Sequence, residues 1–105
     1  MDIKYYNTRM EIRYSFKNFT DAEKQMFEEY CVKKLPSLEH MVTRYAQPPH
    51  TLEIRAEKFV KKHAFCVTLH LTTPRGTLMS SEDDHTIIEA IDLAKDKLGY
   101  QLNKK

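Results

Sequence analysis

The chain has 105 residues, 41% of them hydrophobic and 30% charged, with a formal net charge of +2. That length predicts one domain, residues 1–105, able to bury roughly two-thirds of its unfolded surface, and that composition excludes a disordered chain and a membrane-embedded one. A charge this close to neutrality does not by itself argue for a nucleic-acid partner, so the placement of the charges has to carry that case.

The opening MDIKYYNTRM lacks the apolar centre of a signal peptide, and Cys31 and Cys66 form no CxxC pair, so the expected address is the cytoplasm with both thiols reduced. From Arg9 to Phe16 apolar and polar residues alternate, Met10, Ile12, Tyr14 and Phe16 pointing one way, which predicts a half-buried strand. Thr20 and Glu23 have capping-box spacing and predict a helix from Asp21. Met26, Phe27, Tyr30 and Cys31 form its expected inward face. Pro36 lacks a backbone donor and predicts a kink or a new short helix carrying Leu38, Met41 and Val42.

Gln47 to His50 reads as a loop. Thr51 to Lys58 and His63 to Thr73 alternate again, with Leu52, Ile54, Ala56, Phe65, Val67, Leu69 and Leu71 inward, and predict a hairpin through Phe59 to Lys62. Pro74, Arg75 and Gly76 supply turn chemistry before a fourth strand, Thr77 to Glu82. Thr86 and Glu89 are a second capping box, opening a helix at about Ile87. Its apolar stripe is Ile87, Ile91, Ala94, Leu98 and Leu102, with Glu89, Asp92, Asp96 and Asn103 expected in water and Lys97, Tyr100 and Lys104 along one flank. The element order predicts an α+β fold, β-α-β-β-β-α, with two helices on one face of a four-stranded sheet. Arg13, Glu53, Arg55, Cys66, Thr68 and His70 fall on the other, wet face.

Catalytic chemistry finds little support in these residues. Cys66 and His70 share a strand face, but four residues of strand separate their Cα atoms by roughly 13 Å, and no short ligand spacing for a metal occurs. Asp83, Asp84 and His85 precede a helix N-terminus, where acidic residues are favoured on electrostatic grounds alone. With only two glycines there is no phosphate loop. The reading is therefore no enzyme, no metal, no cofactor and no small-molecule substrate. The lysines are different: Lys33, Lys34, Lys97, Lys104 and Lys105 lie towards helix C-termini. With Lys61, Lys62 and Arg75 they are expected to form one positive surface, on which Tyr100 offers a ring for stacking.

HAFCVTLHL (His63 to Leu71), GTL (Gly76 to Leu78) and AIDLAKDKLGYQL (Ala90 to Leu102), in that order, resemble the short ribosome hibernation promoting factor and ribosome-associated inhibitor family, whose members are also described as modulators of an alternative sigma factor. EEYCVKKLPSLE (Glu28 to Glu39) is similar to that family's Y-x-x-x-K-L-x-x-L run. The resemblance covers most of the chain from Thr20 onward. It implies a fold similar to double-stranded-RNA-binding domains, and binding to ribosomal RNA in the mRNA channel of the small ribosomal subunit, which silences translation under stress or in stationary phase. By position, Lys34 matches the family's first-helix lysine, and Asp92, Lys97, Gln101 and Lys104 match the second helix. Pro36 departs from the first-helix motif, and Gly99 and Tyr100 stand where the family often has Glu and Arg, exchanging a phosphate contact for a stacking surface. The chain ends just past the second helix, as expected of a short-type protein, monomeric when free and without a membrane partner. The alternative is a protein-interaction module that regulates a transcription factor through the wet sheet face.

Overall fold

Alternating strands and single-striped helices assemble as the pattern requires. The computed structural model describes residues 2–5, 10–45 and 50–103, with backbone only at 2–5, 10, 35, 38, 39, 41, 43–45 and 103. The elements are β1 (Asp2–Tyr5), β2 (Met10–Lys17), α1 (Asp21–Tyr45), β3 (His50–Phe59), β4 (Ala64–Thr73), β5 (Gly76–Asp84) and α2 (Ile87–Asn103), with a 3₁₀ turn at Val60–Lys62. From β2 onward the order is the expected β-α-β-β-β-α in an α+β fold. The short β1 extends the four-stranded sheet at its β2 edge, giving the order β1-β2-β3-β4-β5. β2 and β3 are parallel and the other neighbours antiparallel. A parallel pair needs a crossover, and α1 supplies it.

One sheet face is dry. Ile12, Tyr14, Leu52, Ile54, Ala56, Val67, Leu69 and Leu71 are buried there beneath Phe27, Cys31 and Val42 of α1 and the whole expected stripe of α2, joined by Ala90. Phe16, Phe19, Phe27 and Phe65 form an aromatic corner under the start of α1, with Phe16 and Phe27 edge-on at 5.5 Å and Phe19 and Phe65 at 5.9 Å. Such contacts add to simple area burial. Ser80 is buried within this apolar layer and donates its hydroxyl to the Ala94 carbonyl at 2.7 Å, fastening β5 to α2. Burial pushes the Cys31 thiol up to about 12, with Glu28 adding to the effect and a hydrogen bond to Tyr14 opposing it, so Cys31 is a core group and not a nucleophile.

Several local expectations change. Helix α1 runs without a break through Pro36. Nine residues past Phe27, Pro36 falls opposite the buried stripe, and it is exposed. The Val32 carbonyl that it leaves without a helical donor therefore faces water, which can satisfy it. Met26 is 53% exposed and not part of the inward face. His50 opens β3, paired with Met10, and is buried. The side chains of Leu38 and Met41 lie outside the described residues.

The first capping box closes in both directions: the Thr20 amide donates to Glu23 at 2.9 Å and the Glu23 amide to the Thr20 hydroxyl at 3.1 Å. In the second, the Glu89 amide donates to Thr86 at 3.2 Å, while the Glu89 carboxyl meets Asp84, which holds the Asp84 carboxyl low and raises that of Glu89. Turns follow backbone chemistry. Gly76, at φ +138°, takes a conformation that side-chain-bearing residues rarely adopt.

Lys58 donates to Glu23 at 2.9 Å and ties the start of α1 to β3. The Thr20 amide, then Lys58, hold the Glu23 carboxyl below its ordinary value. A lowered carboxyl stabilises the fold above its unfolded pKa, and that contribution is lost as pH falls through the folded value. Glu23→Gln is expected to lower the melting temperature at pH 7 by about 4 °C, corresponding to about 1 kcal/mol. The difference from wild type should shrink towards zero by pH 3 in parallel thermal melts; a constant difference would show that the charge is not responsible.

Candidate nucleic-acid interface

Topology sets where the basic residues go. α1 begins just beyond Lys17, which pairs with Glu57 near the end of β3, and α2 begins just beyond Asp84, which pairs with Phe65 at the start of β4. Both helices therefore start at the end of the sheet that holds the β3–β4 turn and run back along it. They are parallel, and their C-terminal halves share the end of the β4–β5 turn, where Arg75 sits.

Arg75 alone of the predicted residues sits in that turn: Lys33 and Lys34 lie mid-way along α1, and Lys97 pairs with Glu82, which lies opposite Val67 nearer the other end of β4. Lys61 and Lys62 lie at that other end. They occupy the exposed 3₁₀ turn beside the helix N-termini, with Lys62 Nζ 5.6 Å from the Phe59 ring centre. The ten-residue strand β4 lies between them and Arg75, a span of roughly 30 Å. The expected single positive surface is therefore spread along the molecule, with Lys61 and Lys62 at one end, Arg75 at the other and the helix lysines between them. Lys104 and Lys105 lie outside the described residues.

Between the helices lies a cluster joined by hydrogen bonds and charge. The Tyr30 hydroxyl donates to both carboxylate oxygens of Asp92 at 3.2 Å, and Lys34 Nζ stands 3.4 Å from the same carboxylate and 5.5 Å from the Tyr30 ring centre. The Tyr30 hydroxyl first, and Asp92 second, raise the Lys34 pKa. Asp92 was expected to face water; it is half-buried against α1 because α1 packs along that flank. Lys95, one turn further on, shares this flank, is half-buried and has no ion pair among the described residues. Its sequence signal was present, a lysine one turn beyond Asp92, but the flank gained meaning only from its neighbour.

Lys97 lies on the other flank of α2. Five residues past Asp92, it is turned about 140° around the axis and pairs with Glu82 of β5 at 3.5 Å. Gln101 follows it and donates to the Met79 carbonyl at 2.9 Å, covering part of the open edge of β5. Tyr100, 62% exposed, stands on the ridge between the flanks. Lys33 is exposed on α1, and neither it nor Arg75 has an ion pair among the described residues. The interface therefore combines unpaired cations with two lysines held by carboxylates, around an exposed ring.

The wet sheet face differs in kind. Arg13 pairs with Glu11 at 2.9 Å, Arg55 with Glu53 at 2.8 Å and Lys17 with Glu57 at 3.7 Å. Thr68 and Cys66 share the Ser81 hydroxyl at 3.0 and 3.4 Å. Burial raises the Cys66 thiol, the direction opposite to activation. In register His70 lies between Glu53 and Met79. Among the described residues, no cluster of His, Cys, Asp and Glu is arranged to hold a metal ion, and no helix is long and apolar enough to cross a membrane.

Half-exposed pairs such as Lys97 with Glu82 contribute little to stability, about 0.2–1 kcal/mol. Lys97→Ala is expected to move the melting temperature by less than about 4 °C. A larger drop in a thermal melt would mark Lys97 as structural and unsuitable as a ligand contact.

Solved structures and family comparisons extend these observations. The crystal structure of the Thermus thermophilus Protein Y N-terminal domain matches with a TM-score of 0.66 at 25% sequence identity, over 89% of this chain and 96% of that one. The structure of a ribosomal subunit interface protein from Coxiella burnetii matches with a TM-score of 0.59 at 17% identity, over 89% and 93%, a likeness of fold alone. A comparison with curated proteins returns no match. Residues 12–105, from within β2 to beyond α2, match the family model described as sigma 54 modulation protein / S30EA ribosomal protein, and the chain belongs to that family.

Proposed function

We propose that this protein is a non-enzymatic ribosome-associated factor of the cytoplasm that binds ribosomal RNA of the small subunit, in the mRNA channel. Occupying that channel blocks translation under stress or in stationary phase. The observation that supports the reading is the packing of α1 and α2 on one sheet face, which leaves Lys33, Lys34, Lys97 and Tyr100 on the helix side of the molecule, away from the wet sheet face. Family membership supports it, as does the name of one structural neighbour, a Protein Y domain. A single domain that is monomeric when free suits the task, since one copy suffices to fill a channel.

Recognition proceeds through phosphate and ribose and follows RNA shape, because lysines read charge and not base edges. Tyr100 adds stacking on an unpaired base, which tolerates any sequence. Lys61 and Lys62, at the other end, contact a separate stretch of RNA and not the same phosphates. Lys104 and Lys105, outside the described residues, complete the proposed set of RNA-binding cations. The exchange of a carboxylate partner for a phosphate at Lys97 costs little, since the pair is solvent-accessible.

The family description also names sigma 54 modulation, which favours a second reading in which the wet sheet face docks a transcription factor. There Arg13, Arg55 and Thr68 substitutions would abolish function and the helix lysines would not matter.

Counterion release makes the first reading measurable. Binding to small subunits should weaken with salt by roughly 0.7–0.9 log units in affinity, per log unit of salt, for each phosphate contacted. In the Lys34→Ala, Lys97→Ala double variant that slope should fall in magnitude by about 1.5, with cosedimentation lost at physiological salt. Cosedimentation and salt slope equal to wild type would remove the helices as the RNA surface.

A further inference from the structure

Asp92 differs from Glu82, the other carboxylate that pairs with a helix lysine, in being held by a tyrosine hydroxyl as well. Its side chain is 40% exposed and that of Lys34 32% exposed, so both remain within reach of a ligand. A polyanion that offers nothing but phosphates meets a lysine already engaged and a negative charge next to it. A carboxylate accepts hydrogen bonds and cannot donate them, and its two oxygens have about four acceptor sites. The Tyr30 hydroxyl and the Lys34 ammonium occupy one side of this group. What Asp92 seeks on its open side is a donor. Along an RNA strand the donor next to each phosphate is the ribose 2′-hydroxyl, the group by which proteins tell RNA from DNA.

We propose that Asp92 is a specificity-determining residue: its carboxylate accepts a ribose 2′-hydroxyl while Lys34 takes the phosphate beside it. Tyr30 acts as a positioning residue, since its bond to both oxygens fixes the carboxylate between the helices. The inference rests on the reading of the helix face as an RNA surface and adds the chemical group that face selects. Lys97, with Glu82 3.5 Å away on the opposite flank, reads charge alone in this scheme.

The test uses the full chain and one duplex fragment of small-subunit ribosomal RNA, made either unmodified or with 2′-fluoro riboses. The fluoro form keeps the A-form pucker and has no hydroxyl to donate. Wild type should prefer the unmodified RNA about five-fold, the worth of one solvent-accessible hydrogen bond. Asp92→Leu should bind both forms alike and bind heparin about three-fold more tightly, because one negative charge has gone. Tyr30→Phe, which keeps the charge and frees the carboxylate, should show a reduced preference with heparin affinity unchanged. Equal binding of the two RNAs by wild type overturns the inference without any variant having to fold. A preference that survives in Asp92→Leu overturns it as well, since the hydroxyl is then read elsewhere. Both of those outcomes leave RNA binding intact, whereas a wild type that binds neither RNA overturns this inference and the RNA reading together.

Discussion

Two helices, each with one apolar stripe, share a single dry sheet face, and most features of the molecule descend from that constraint. Phe27, Cys31 and Val42 of α1 and the Ile87 to Leu102 stripe of α2 have nowhere else to go. Because each helix follows a strand that ends at the same side of the sheet, both are forced to run the same way. The described cations of α2 nonetheless lie along its flanks and not in its last turn, where none occurs, so side-chain partners and not the helix dipole orient them.

The charges divide the protein into two unlike faces. On the wet sheet, Arg13, Arg55 and Lys17 are paired within or across strands, beside a hydroxyl and thiol network. On the helix side, Lys34 and Lys97 are paired too, but each bridges two elements, so their carboxylates also set the spacing of α1, α2 and β5. A lysine held in this way is oriented before any ligand arrives, which reduces the ordering cost on binding. The same pairing lowers attraction for anions in general. The face is therefore tuned between affinity and discrimination in a manner that a cluster of free lysines would not be.

Much of the fold was legible because the signals are local. Alternation through Leu52, Ile54 and Ala56, the 3.6-residue recurrence from Ile87 to Leu102 and the Thr20 and Glu23 spacing all reappear as burial or hydrogen bonds. β1 escaped notice because four residues carry no period, and a strand so short exists through its pairing with β2. Pro36 misled because its effect depends on which side of the helix it occupies, and only tertiary packing decides that. The site was harder still. Lys34 and Lys97 were recognisable as basic helix residues, yet their partners Asp92 and Glu82 are identified only once the chain is folded. That Lys61 and Lys62 sit far from Arg75 is readable in the sequence, since a whole predicted strand separates them.

The central claim is that the helix face, with α2 at its centre, meets RNA while the sheet's other face does not. A photocrosslinking side chain placed at Tyr100, and separately at Arg55, measures this most directly on small ribosomal subunits. The account predicts crosslinks to ribosomal RNA from position 100 and none from position 55. Crosslinks from position 55 alone would contradict it.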